Sequence, residues 1–352
     1  MIFFGAGASK TFGILTTIEM AKEFGQRLEG PHKDQFSLIM NKLSNYRHFD
    51  VEALITVLER IENVEKFLEE LNNPSLHYFL DNLAFGWQNT LAYTRGLADQ
   101  GKENARNLLE DLKEFMRDIC AKEIEEEKFL ILDEFFSAIL KKQGIDFKVK
   151  LKTRGLKAAF LESFTTNYDM VIENYCRSRN LVYENGELKD RMVDISSRNT
   201  ELYGRSTECF KIFKLHGSIN WGEVKKGEIR ARDIPVKPGG RTIYGEKFAK
   251  ELVIYPVREF YTFREPFYDM FHHLKTSLVG SDRCYIVGYS FRDPDIKGLF
   301  LDAALKNDKL RFYFIDPNVD EIVNERLNTI NDRIIKIDKE FGYKAIEELT
   351  KE

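Results

Sequence analysis

Several things are scarce in this sequence, and each scarcity removes a class of protein. Only four of the 352 residues are cysteine, at Cys120, Cys176, Cys209 and Cys284, and no two of them form a C-x-x-C pair. Isolated cysteines suggest neither a disulfide framework nor structural zinc, so no zinc and a reduced, cytoplasmic setting are expected. No apolar run reaches the roughly 18 residues that a membrane helix requires. Phe3-Phe4 runs directly into Gly5 with no basic lead, so no secretion signal is expected either. Net charge is small, -4 from 53 basic and 57 acidic residues. It provides no basic field of the kind that draws nucleic acid. Internal repeats and low-complexity segments are also missing. What is abundant is core material: hydrophobic residues make up 43%, with 28 Phe and 15 Tyr. That suffices for one large ordered domain or two.

Hydrophobic spacing divides the chain. From about 16 to 145 it reads as helical. Asp50 is placed to cap a helix carrying Val51, Leu54, Ile55, Leu58, Ile61, Val64 and Leu68, and similar spacing joins Leu108, Leu112, Phe115, Met116 and Ile119. Phe129, Leu132, Phe135, Phe136 and Ile139 repeat it, and the Glu123–Glu127 charge run reads as a solvated helix face. From about 158 the character changes. Apolar strands are expected up to Phe164, from Phe210 to Leu215, from Leu252 to Tyr255, from Cys284 and from Leu310 to Ile315, with a last one from Arg333 to Ile337. Gly222 to Gly245, with Pro235, Pro238 and Gly239-Gly240, reads as a loop or small flap. His272 and His273 lie on an expected helix without acidic or cysteine partners at ligand spacing, so they are not read as metal ligands. Strands alternating with helices predict an α/β fold: a parallel, Rossmann-like sheet with a large helical insertion.

The first nine residues, Met1-Ile-Phe-Phe-Gly-Ala-Gly-Ala-Ser9, read as a short strand that stops at Gly5 and turns through Gly7. Glycine lets backbone N–H groups approach a ligand closely, and a helix start adds a positive dipole end. The turn is therefore either a phosphate cradle or a bare strand-to-helix turn. Two glycines and a serine fall short of the full G-x-G-x-x-G fingerprint. Polar or glycine residues recur at four later strand ends: Thr165 to Asp169, His216 to Ser218, Gly288 to Ser290 and Asp316 to Asn318. Ligands of open parallel sheets bind beyond such ends. Gly288 and Ser290 can offer donors to a phosphate oxygen. Asp316 is either an acceptor for ribose hydroxyls or a turn residue before Pro317.

In this order Gly5-Ala-Gly-Ala-Ser9, Thr166-Asn-Tyr-Asp169, Leu215-His-Gly-Ser218 and Val287-Gly-Tyr-Ser290 resemble the motifs of the sirtuin family. The likeness is closer to its bacterial and archaeal sirtuin-like branch associated with defence against phage, which Phe291-Arg-Asp-Pro-Asp295 and Ile315-Asp-Pro-Asn318 strengthen. The resemblance implies an NAD-binding domain built from 1–15 and 150–352, with 16–149 a helical insertion covering the site or forming an interface. NAD is then the substrate. Gly5, Ala6, Gly7 and Ser9 would hold its pyrophosphate, with Thr166, Gly217 and Gly288 alongside. Asn167 and Asp169 would hold the nicotinamide-side ribose and carboxamide, or position a water. His216 would be the acid/base residue, and Ser290 and Asp316 would belong to the adenosine half.

Two departures bear on activity. The four-cysteine zinc module of sirtuin deacylases has no counterpart after the histidine motif, and neither has their acyl-lysine-binding strand. NAD cleavage to nicotinamide and ADP-ribose is therefore expected ahead of deacylation or ADP-ribosyl transfer, with a non-catalytic NAD-sensing module as a third possibility. Such proteins are expected to form homo-oligomers, and some assemble with a helicase-like ring ATPase. Asn167 would orient the ribose, Asp169 would stabilise charge or order its loop, and His216 would take a proton or simply be a satisfied strand-end histidine.

Overall fold

The computed structural model describes residues 1–43, 50–62, 99–142, 144, 161–181, 183–184, 187–188, 191–192, 210–225, 228–231, 235–236, 239–240, 247–253 and 267–351. The chain forms two compact units, one of 1–14 with 120–352 and one of 15–119.

The first unit is organised by a seven-stranded sheet whose pairings are all parallel. Its strands are β1 (Ile2–Phe4), β2 (Leu161–Thr165), β3 (Tyr183–Glu184), β6 (Phe210–Lys214), β10 (Arg283–Val287), β11 (Arg311–Ile315) and β12 (Ile334–Ile337). In space they run β12-β11-β10-β1-β2-β6-β3. The chain fills one side of β1 with β2, β3 and β6, then crosses to β10 and moves outward through β11 to β12. The order therefore reverses between β1 and β10, and that switch point is where ligands of open α/β sheets bind. A two-stranded hairpin joins β4 (Glu187–Leu188) to β5 (Arg191–Met192). A three-stranded antiparallel sheet joins β7 (Gly217–Lys225) to β8 (Glu228–Ala231) and β9 (Lys250–Val253).

Alternation along β1 places Phe3 and Phe4 on opposite faces, and both faces are covered, as a parallel sheet requires. Phe3 meets Tyr289 and Phe300, with ring centres 4.7 and 5.3 Å away. Phe300 belongs to the helix Pro294–Lys306. Phe4 meets Phe135 at 6.1 Å, and Phe136 meets Phe210 at 5.1 Å. Both partners belong to the helix Leu130–Lys141, so this part of the expected insertion packs on the sheet. Glu162 of β2 fastens the helix Phe267–Gly280 from below. It accepts from Ser277 Oγ at 2.6 Å and meets His273 Nε2 at 3.0 Å, while the His273 ring stacks on Phe213. The two histidines set aside as metal ligands thus lie one exposed and one in a helix-to-sheet contact.

The second unit holds the helices Thr17–Arg27, Gly30–Leu43, Val51–Glu62 and, to its last residue but one, Asp99–Cys120. Thr16 and Glu19 form a reciprocal capping box at the first. Asp50 caps the third, its Oδ1 accepting from the amides of Glu52 and Ala53, both at 3.1 Å. The expected apolar stripe from Val51 to Ile61 is buried, and Phe24 packs on Phe115 at 5.5 Å; Val64 and Leu68 lie outside the described residues.

Two local expectations are corrected. Glu123–Glu127 is solvated but lies in a loop and a single 3-10 turn, Glu126–Phe129, past the end of the helix Asp99–Cys120, and Glu126 pairs with Arg179 at 3.0 Å. The expected flap after Gly222 contains the β7–β8 pairing. Gly222 sits inside β7 because a Cβ there would come within 2.5 Å of the Phe248 ring. Among the described residues no helix is long and apolar enough to cross a membrane.

Gly288, at the end of β10, has φ +62°, and a Cβ there would come within 2.3 Å of Ala8 N. Gly298 is exposed inside a helix with nothing within 4 Å of its would-be Cβ. Urea unfolding should therefore show Gly288→Ala losing at least about 2 kcal/mol, while Gly298→Ala gains about 0.5–1 kcal/mol. Equal effects at the two positions would contradict the packing described.

Candidate active site at the strand ends

The β1 turn and the β10 turn meet backbone to backbone. Gly5 N–H donates to Val287 O and Gly7 N–H to Gly288 O, each at 2.9 Å. A Cβ on Gly5 would come within 2.5 Å of Gly288 O, and one on Gly7 within 2.8 Å of Gly288 Cα. The three glycines are thus explained by close approach between two protein segments. The amides of Gly5 and Gly7 point at β10 carbonyls, so among the first turn's amides they are not the ones a phosphate would meet. Ala6 begins a helix of five residues, Ala6–Lys10.

Above this contact lies a chain of hydrogen bonds that starts at Asn167. Its Nδ2 donates to Gly5 O at 2.9 Å and to Ser9 Oγ at 2.8 Å. A carbonyl oxygen can only accept, so the amide nitrogen must face Gly5, and the orientation of the side chain follows. Ser9 Oγ in turn donates to Asp169 Oδ2 at 2.6 Å. Asp169 Oδ1 accepts from Val171 N at 2.9 Å, and Asn167 N donates to Thr165 Oγ1 at 3.0 Å. Ser9 and Asp169 are buried, 4% and 6% exposed. Ser9 therefore links Asn167 to Asp169, and Asp169 orders the loop. Thr166, next to Asn167, donates its amide to Phe4 O at 3.4 Å.

Beneath the loop Lys214 Nζ donates to the Asp169 backbone oxygen and stands 3.4 Å from Glu173 Oε1, with both side chains 1% exposed. Burial pushes the Asp169 carboxyl above its ordinary range and Glu173 adds to this, against the pull of Lys214, the Ser9 hydroxyl and the Val171 amide. A cavity of about 10 Å³ touches Ser9, Asn167, Asp169, Glu173 and Lys214. That is room for about one water.

The same loop is tied to the histidine turn. Tyr168 O accepts from Ile219 N at 3.0 Å and Ser218 Oγ at 3.3 Å. Leu215 and His216 form the turn between β6 and β7, and Gly217 resolves it with φ +82°. His216 Nε2 lies 3.1 Å from Asp293 Oδ2, with the His216 side chain buried and that of Asp293 mostly so. Asp293 also caps the helix Pro294–Lys306 through Oδ1. Farther along the edge, Asp316 Oδ1 accepts from Asn318 N at 2.8 Å, the turn role weighed for it, and burial pushes its carboxyl up. Ser290 O accepts from Arg326 at 2.8 Å.

The structure thus gathers Gly5, Gly7, Ser9, Asn167, Asp169 and Gly288 at one point, and Tyr168 O ties their loop to Ser218 and Ile219, just after His216 and Gly217. Ser290 and Asp316 follow on the β10 and β11 ends. Residues 162–335 match the model of the SIR2-like domain. The chain carries a SIR2-like domain. Its matched span runs from β2 into β12, and the Gly5–Ser9 turn outside the span is bonded to it through Asn167, Asp169 and Gly288. No curated protein matches the sequence. Among solved structures it is similar to a Sir2 homologue in complex with NAD, with 12% identity over 100% of this chain and 87% of that one, TM-score 0.47. It is also similar to a mutant Sir2 homologue in complex with ADP-ribose, with 12% identity over 100% of this chain and 90% of that one, TM-score 0.45. Among the described residues of this SIR2-like chain no three His, Cys, Asp or Glu side chains cluster as metal ligands do; Cys209 lies outside them.

Sequence reasoning left three residues of this arrangement without a role. Asp293 lies inside the Phe291–Asp295 motif, and its Asp-Pro pair is a helix-start signal that could have marked it. Lys214 was hidden as an inward-facing polar residue in an apolar strand, and Glu173 as one acidic residue on a short helix. Lys214→Met removes the positive member of a buried ion pair, so it should cost about 3–5 kcal/mol in urea unfolding, with much of the loss restored by adding Glu173→Leu. A loss below about 1 kcal/mol for Lys214→Met would contradict a desolvated pair.

Proposed function

We propose that this SIR2-like chain is an NAD hydrolase that cleaves the nicotinamide–ribose bond to give nicotinamide and ADP-ribose. The observation that carries this reading is the orientation of Asn167. With both Nδ2 hydrogens engaged by Gly5 O and Ser9 Oγ, the atom it offers to a ligand is Oδ1, an acceptor. An acceptor at this place suits a ribose hydroxyl or a water. Its negative end also favours the positive charge that develops on a sugar as a glycosidic bond breaks.

NAD supplies a leaving group that already carries positive charge, so no strong acid is needed beside it. His216 holds or removes a proton from a ribose hydroxyl or a water, as a positioned imidazole can. Asp169 acts through Ser9 and the loop, since both its oxygens have protein donors. A dinucleotide is far larger than the buried cavity, so it would lie over the strand ends along the line from Asn167 to Asp316. Ala6, Thr166, Gly217, Gly288 and Ser290 are the remaining proposed NAD contacts on that line, with Gly5 and Gly7 shaping its floor. The match of residues 162–335 to the SIR2-like domain supports NAD as the ligand. The proposal extends to the cytoplasmic NAD pool and to a role in antiphage defence, in a homo-oligomer or with a helicase-like ring ATPase. The defence role and the partners are supported by the motif resemblance, with Phe291-Arg-Asp-Pro-Asp295 and Ile315-Asp-Pro-Asn318, and the cytoplasmic setting by the isolated cysteines.

Chromatography of nicotinamide released from NAD tests the reading. Wild-type protein should release it, and Asn167→Ala and His216→Ala should each lose at least about 10²-fold. Full turnover in both variants would remove the two residues from the chemistry. Release that requires an acyl-lysine peptide would make the chain a deacylase, and NAD binding without release would make it a sensor.

A further inference from the structure

The contact between His216 and Asp293 joins two motifs 77 residues apart, and it is built more rigidly than a surface ion pair. The side chains are 6% and 11% exposed. Both oxygens of Asp293 are engaged. Oδ2 faces His216 Nε2 at 3.1 Å, while Oδ1 accepts from Asp295 N at 2.9 Å and Ile296 N at 3.2 Å. Pro294, the first helical residue, fixes the backbone beside it. Two residues earlier Phe291 adopts φ +54°, which a phenylalanine rarely does. Its buried ring is held by Tyr289, Phe300 and Phe314, at 4.8, 5.0 and 5.6 Å. An unfavourable backbone held by packing brings Asp293 to His216, and such strain persists where the surroundings over-determine it.

We propose that Asp293 is a positioning residue for His216, fixing its imidazole as the tautomer protonated on Nε2 and leaving Nδ1 as the proton-accepting nitrogen. An ionised carboxylate only accepts, so the nitrogen facing it must carry hydrogen. Burial pushes the Asp293 carboxyl up, but the hydrogen bond from His216 and the two helix amides outweigh this and hold it below the ordinary range. Asp295 is the other carboxylate felt by the pair, and burial and Asp293 push it up. The kinetic consequence, though not the tautomer, rests on the NAD-cleaving reading.

A helix cap alone would also explain Asp293, and two variants separate the roles. Asp293→Asn keeps an oxygen for the cap, since asparagine caps helices as well as aspartate does. It presents an N–H to His216, which reverses the tautomer, as the corresponding exchange does in a Ser-His-Asp triad. Asp293→Ser keeps a cap but is too short to reach the ring. Nitrogen-15 NMR of histidine-labelled protein, with His216→Asn identifying the resonances, reads the tautomer directly. Wild type should show the proton on Nε2, Asp293→Asn should show it on Nδ1, and Asp293→Ser should show both forms. A wild-type proton on Nδ1, or a tautomer unmoved in the variants, overturns the proposal.

Nicotinamide release is the second readout. Asp293→Asn should lose at least about 10²-fold in kcat with KM for NAD little changed. If wild type releases nicotinamide and a folded Asp293→Asn keeps full kcat, the positioning role fails while the NAD reading stands. If the tautomer reverses as expected and wild type releases nothing, the NAD reading fails and the pairing stands. Should Asp293→Asn not fold, wild type and Asp293→Ser decide.

Discussion

The candidate site depends on one steric constraint: the turns after β1 and β10 touch through backbone with no side chain between them. Gly5 and Gly7 come so close to Gly288 that a Cβ on any of the three would fall within 2.8 Å of another backbone atom. This closeness lets two amides of the first turn donate to β10 carbonyls and fixes the position of Gly5 O. Gly5 O and Ser9 Oγ then determine how Asn167 can stand, because the amide must turn its nitrogen toward a carbonyl. From Asn167 the order spreads through Ser9 to Asp169 and through Tyr168 to the His216 turn. A contact made by absent side chains therefore sets the chemistry of a present one.

Beneath the loop a second constraint works in the opposite sense. Lys214 and Glu173 place opposite charges in the interior, an arrangement in which losing one partner costs more than losing both. Lys214 also donates to the Asp169 carbonyl, so the buried charge and the loop above it are mechanically one unit. The SIR2-like domain thus supports its strand ends from two sides, by glycine packing at the switch point and by a buried pair under β2 and β6.

Much of this was legible because it follows from short-range rules. The strands after residue 158 announced themselves as apolar runs ending in glycine or polar residues, and parallel pairing followed from their alternation with helices. Asp50 was readable as a cap from its place before Val51. The motif residues were readable as a set, since Gly5, Asn167, His216 and Gly288 mark successive strand ends. Their partners were not. Whether Gly5 offers its amide to a ligand or to Val287 depends on which strand lies beside β1, and a sequence without its topology does not say. Asp293 looks like any helix start until β6 and β10 are known to flank β1 and β2. The helix Leu130–Lys141 has the same spacing as those of the second unit, so periodicity alone could not assign it to the sheet. The β7–β8 pairing was concealed because Gly222, read as a loop residue, here makes room for the Phe248 ring inside a strand.

The chemistry of the site comes down to what Asn167 offers. If its amide nitrogen is held by the β1 turn, a bound substrate must bring the hydrogen. A crystal structure of the His216→Ala variant soaked with NAD measures this directly. It should show a ribose hydroxyl or a water within hydrogen-bonding distance of Asn167 Oδ1, with Nδ2 still on Gly5 O and the dinucleotide lying over the β1 and β10 ends. NAD bound elsewhere, or an Asn167 amide turned to donate to the ligand, would contradict it.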